Sequence, residues 1–147
     1  MSNNVEKSKE LFLKGYNCCQ AIVGGFCEDY NIEFETAMKI TSSFGGGMGG
    51  LREVCGAVSG AFMIAGLKKG YIFPDSAEVK AEHNKLIQSL AKSFKEKWGT
   101  IKCGELMKKL SEEKGEVLEK LGEDYKKRPC LIIVEEMAKI LEETINE

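Results

Sequence analysis

The sequence predicts an all-α fold, a single-domain bundle of about six to seven helices spanning residues 1–147. Three observations predict it. Apolar residues recur at steps of three and four along most of the chain. Only two prolines interrupt it. The one strand-like run, LIIV at 131–134, continues without a break into a helical pattern. No Gly- or Ser-rich linker and no internal repeat divides the chain.

The elements run in order along the chain. VEKSKELFLK, residues 5–14, ends at Gly15, a helix C-cap. Asn17 with Gln20 three residues on is a capping box, which opens a helix from Cys18 to Tyr30. FETAMKITSSF forms a third helix that stops at a glycine run, and a fourth runs from Leu51 to Lys69. YIFPDS is a linker in which Asp75 or Ser76 caps the fifth helix. Residues 77–98 carry Leu86, Ile87, Leu90, Ala91, Phe94 and Trp98 as one apolar stripe. Thr100 begins a short helix with Leu106, Met107 and Leu110. Residues 111–128 are heavily charged and hold two glycines, and they read as an exposed helical arm or long loop. Pro129 suits the first position of a last helix, whose face is Ile133, Met137, Ile140, Leu141 and Ile145.

Composition narrows the function. With 21 Lys and Arg against 23 Asp and Glu, no cluster is basic without interleaved acids, which argues against nucleic acid. The N-terminus is polar and lacks the apolar core of a secretory signal. No apolar run reaches the ~18 residues of a membrane span. The expectation is a soluble, cytoplasmic protein, with oligomeric state left open. Six cysteines in a reducing compartment point to metal binding or redox work rather than to a static disulfide framework. The single histidine, His83, excludes a His-rich metal site. It lies among lysines and glutamates and reads as a solvated surface residue, which leaves little support for a Cys–His nucleophile. Met38, Met48, Met63, Met107 and Met137 read as core fillers.

The stretch FGGGMGGLREVCGAVSG, residues 44–60, holds seven of the sixteen glycines. Gly45, Gly47 and Gly50 satisfy G-x-G-x-x-G, but that motif cradles a phosphate only where a strand leads into a helix. Here the preceding segment is helical and no strand is in sight. Packing explains the second half better. Gly56 and Gly60 lie one turn apart beside Ala57, a small face that lets another backbone or a bulky group approach.

Four cysteines fall near the starts of four helices: Cys18 after the Asn17 cap, Cys55 after the glycine run, Cys103 after Thr100 and Cys130 after Pro129. Unpaired N–H groups and the positive end of the helix dipole favour thiolate there. Each cysteine also begins an apolar stripe, so all four are expected to face inward. The competing reading is ordinary buried cysteine.

The arrangement GYNCCQA, FGGGMGG, VCGAVSGA, KCGEL and RPCLIIVEEMAKILEE resembles the C-GCAxxG-C-C family of redox-active proteins, and the likeness covers nearly the whole chain. The resemblance implies that Cys18, Cys55, Cys103 and Cys130 are the family's cysteines and that Cys55–Gly60 is its CGAxxG motif. The chain departs from the pattern by placing Cys19 after Cys18, so either sulfur is a candidate for the site; Cys27 is outside the pattern. The family is similar to the C-terminal region of split-Soret cytochromes, but no C-x-x-C-H occurs, so covalent haem is not implied.

Two functions are then expected to compete. In the first, Cys18, Cys55, Cys103 and Cys130 converge as ligands of an iron–sulfur cluster or as redox-active thiols serving a redox partner protein, with Gly56, Ala57 and Gly60 shaping the site. A Cys₄ zinc site is a further occupant. In the second, the chain is a helical binding or scaffolding module whose buried cysteines are structural.

Overall fold

The computed structural model describes residues 3–74 and 76–146. Every regular element in it is helical. Helix α1, Asn3–Leu13, ends as Gly15 requires. Gly15 is left-handed at φ 110°, its N–H reaches the Phe12 carbonyl at 3.1 Å, and the Tyr16 N–H reaches Leu11 at 3.2 Å. That pair of bonds closes the helix end in a Schellman motif. The capping box then opens α2, Cys18–Phe26, with the Gln20 N–H donating to Asn17 Oδ1 at 2.8 Å and the Asn17 N–H donating to Gln20 Oε1 at 3.0 Å. The expected continuation to Tyr30 is tighter, a 3₁₀ turn over Cys27–Tyr30. Helix α3, Phe34–Thr41, likewise tightens into a 3₁₀ turn at Ser42–Phe44.

Helix α4, Gly56–Lys69, begins five residues later than the sequence suggests. The displaced segment comes after a turn of reversed hand: Gly46, Gly47, Met48, Gly49 and Gly50 all have φ between 59° and 76°. For L-residues such a run costs about 1–2 kcal/mol per residue, and glycine removes that cost at four of the five positions. Arg52, two residues past this turn, is also left-handed at φ 63°. The chain then runs extended, and Val54 bridges Lys102 in antiparallel fashion.

Helix α5, Ala77–Trp98, has the bounds that its stripe predicts. Ser76 caps it through a 3.3 Å bond from the Val79 N–H; the other cap expected from sequence, Asp75, lies outside the described residues. Helix α6, Cys103–Glu112, starts at Cys103 rather than Thr100. The charged arm is helical, as α7, Gly115–Leu121, and α8, Glu123–Lys127, parted at Gly122. Helix α9, Leu131–Ile145, starts two residues after Pro129, with Cys130 at its N-cap. The described residues thus hold nine α-helices rather than six or seven, because the charged arm adds two of its own, α7 and α8.

Helix α4 is central, packing on α2, α5 and α9, while α1 lies across α2 and α9. Ile22, Phe26, Val58, Ile64, Leu90, Phe94, Leu131, Ile133, Met137 and Leu141 are fully buried between them. Each such side chain contributes roughly 1.5–3 kcal/mol from burial. The seam between α2 and α4 is close at backbone level. A Cβ on Gly56 would lie 2.9 Å from the Cys19 nitrogen and 3.0 Å from the Phe44 oxygen, and one on Gly60 would lie 3.2 Å from the Cys19 oxygen. Ala57, between them, is fully buried. The small face holds two helices together.

Candidate redox centre

The seam delivers Cys18, at the first position of α2, to the start of α4, where Cys55 is the N-cap. A Cβ on Gly56, next to Cys55, would lie 3.2 Å from Cys18 Cβ. The Cys18 thiol interacts with both Cys55 and Cys130, the N-cap of α9. Its position between two sulfurs, reinforced by burial, raises its pKa well above the ordinary value. The expectation that a helix start favours thiolate is not met at Cys18, whose pKa moves up while those of Cys55 and Cys130 move down. For Cys55 the main cause is the Cys18 thiol, opposed by burial and aided by the N–H groups of Ala57 and Val58. For Cys130 it is again the Cys18 thiol, opposed by burial and aided by the charges of Arg128 and Arg52.

Cys103 is tied to this trio indirectly. Its own N–H donates to the Glu53 carbonyl at 2.6 Å, and the Gly104 N–H goes to Arg52 O at 3.3 Å. The first donors of α6 are thus spent on the loop rather than on the thiol. A guanidinium takes their place: Arg52 Nη1 donates to Cys103 Sγ at 3.5 Å. The glycine turn makes this possible, since a Cβ on Gly47 would sit 2.6 Å from Cys103 Cβ. Of the four cysteines singled out by sequence, three therefore influence one another's thiols, and the fourth is linked to Cys130 through Arg52, which bonds Cys103 and feels the charge of Cys130.

The two adjacent cysteines lie in different surroundings. Cys19 is fully buried, points to Ser59 Oγ at 3.9 Å, and is pushed up to about 12 by burial. It stands in the core, whereas Cys18 faces the trio. Cys27 is also buried, its thiol directed at the Gly24 carbonyl at 3.5 Å.

Three residues at the centre escape the sequence reading. Met107 is 42% exposed instead of filling the core, and its Sδ is 3.6 Å from Cys130 Sγ. Arg52 and Arg128 are the chain's only arginines, and both precede a cysteine of the trio by two or three residues. That sparse placement, against nineteen lysines, is the signal that points to them. His83 departs from expectation too. It is half-buried, edge-on to Tyr71 at 5.9 Å, and its Nδ1 has no hydrogen-bond partner among the described residues. It takes no part in the trio's contacts.

The donor set is all sulfur, which suits soft metals and iron–sulfur clusters chemically. As arranged, however, no group of three or more His, Cys, Asp or Glu among the described residues is placed to hold a metal ion. The geometry present is one of adjacent thiols. No described helix is long and apolar enough to cross a membrane.

Searches among curated proteins and among solved structures matched nothing. Residues 16–144 match the model of the family described as "Putative redox-active protein (C_GCAxxG_C_C)", which spans every cysteine of the centre and its glycine turn, and the chain belongs to that family.

Proposed function

We propose that this member of the family works as a thiol–disulfide redox protein in which Cys18 exchanges between two partners. The observation that carries the reading is the meeting of the starts of α2 and α4, where a Cβ on Gly56, next to Cys55, would lie 3.2 Å from Cys18 Cβ, together with the mutual influence of Cys18, Cys55 and Cys130 on one another's thiols. Thiolate is the attacking form, and Cys55 and Cys130 are the two sulfurs biased toward it. Oxidation joins Cys18 to one of them, with two protons and two electrons passing to an acceptor. Gly56 and Gly60 hold α2 close enough for this, and Ala57 supplies an N–H toward Cys55.

The test is oxidation of the reduced, full-length protein in redox buffers, with disulfides mapped by mass spectrometry. Cys18–Cys130 and Cys18–Cys55 pairs are expected, and Cys18→Ser removes both. An oxidised protein at equilibrium in which no pair contains Cys18 overturns the reading.

A second reading rests on the all-sulfur donor set: Cys18, Cys55, Cys103 and Cys130 hold an iron–sulfur cluster or zinc. It requires Cys103 to leave Arg52 and turn toward the trio. Iron, zinc and sulfide analysis of anaerobically prepared protein tests it, and stoichiometric metal lost in Cys103→Ser supports it over bare thiols.

A further inference from the structure

We propose that the mouth of the trio is an acceptor site for small anionic disulfides, with Arg52 and Arg128 binding the substrate's carboxylates while Cys130 attacks its sulfur. The proposal rests on the thiol–disulfide reading and names its substrate class.

Four observations carry it. First, Cys55 is buried, while Cys130 is half-buried beside the exposed thioether of Met107, so a reagent from solvent can meet Cys130 there. Second, the charges of both arginines act on Cys130. Third, neither guanidinium is neutralised: among the described residues no carboxylate lies within ion-pair distance of Arg52 or Arg128. Each nevertheless is anchored, Arg52 on Cys103 Sγ at 3.5 Å, and Arg128 on the Phe12 carbonyl and over the Phe12 ring at 3.7 Å. A guanidinium carries five N–H donors in a fixed fork that matches a carboxylate, so donors remain for a ligand. Fourth, the chain as a whole is slightly acidic, at net −2, and uses lysine everywhere else. Arginine occurs only here. Fixed, unpaired forks beside a nucleophilic sulfur suit a substrate that presents carboxylates within a few bonds of an S–S group.

The step balances without further reagents. The Cys130 thiolate attacks one sulfur of RSSR, the substrate S–S bond breaks, and RS⁻ leaves and takes a proton. Cys18 then gives up its proton and attacks Cys130 Sγ, forming the Cys18–Cys130 bond and expelling the second RS⁻. The protein loses two thiol hydrogens and the substrate becomes two RSH.

The experiment reacts the reduced, full-length protein with glutathione disulfide (anionic), 2-hydroxyethyl disulfide (neutral) and cystamine (cationic). Each rate is divided by that reagent's rate with free cysteine. The anionic reagent is expected to be favoured over the cationic one by about tenfold at low salt, as local steering by fixed charge allows. The preference should shrink at about 0.5 M salt, where screening reaches only a few ångströms. Arg52→Gln and Arg128→Gln should each cut the ratio several-fold, with Arg52→Lys restoring part of it; circular dichroism checks the fold of each variant. Corrected rates independent of reagent charge, or a ratio untouched by both glutamine variants, overturn the anionic site and leave the thiol reading standing. Failure of all three reagents to place Cys18 in a disulfide overturns the thiol reading and this proposal together.

Discussion

The α2–α4 seam and the mouth at the start of α9 meet at one sulfur, Cys18, yet opposite means hold them. Among the described residues the seam has no side-chain ion pair; its strength is backbone approach across Gly56 and Gly60. The mouth is open to solvent and organised by two guanidiniums and a thioether. Volume is therefore the sensitive variable at the seam and charge the sensitive one at the mouth. Neighbours in sequence fall on opposite sides of that divide: Cys18 is half-buried beside the mouth, and Cys19 is fully buried in the core.

Gly56 is the position where this contrast is easiest to overturn. A Gly56→Val side chain would press on the backbone of Cys19 and Phe44 and on Cys18 Cβ, none of which can swing aside, so it should cost about 3 kcal/mol or more in urea unfolding. A loss under about 1 kcal/mol would mean that the seam is slack. Next comes pH. Cys19 moves from its ordinary 9.0 to about 12 on folding, so the folded state binds that proton more tightly. Its contribution is complete below pH 9 and is lost as pH rises from 9 toward 12, at up to about 1.4 kcal/mol per pH unit. Stability of Cys19→Ala should therefore fall less steeply than wild type over that range; parallel curves would remove Cys19 from the seam's account. The smallest effect belongs to the mouth. Met107→Leu should change stability by less than about 0.5 kcal/mol because the residue is exposed, whereas Leu106→Ala, at 1% exposure one residue earlier, should cost about 2–4 kcal/mol.

Much of this was legible in the sequence, for local reasons. The Asn17–Gln20 box, the Gly15 stop and the 77–98 stripe each depend on contacts within a few residues, and each stands as read. The start of α4 was not legible, because LREV carries helix-compatible residues and nothing local announces that five preceding residues turn with the opposite hand. Cys103 shows the same limit. Its own N–H and that of Gly104 are taken by residues some fifty positions away, so a helix start alone does not fix the state of its thiol. Met107 has a helical spacing that fits a core face, but the neighbour it meets, Cys130, lies 23 residues on. Long-range contacts of this kind leave no periodic trace. Lone arginines among lysines were the one clue to the mouth, and it is compositional.

Three adjacent sulfurs are an odd number, and parity has a consequence. In the proposed cycle, whichever pair is joined, one member of the trio is left reduced beside the new bond. That spare thiol can displace its neighbour without any outside reagent, so the linkage can migrate from the end of one helix to that of another. Oxidising equivalents taken up near the solvent would thereby travel inward to the buried Cys55.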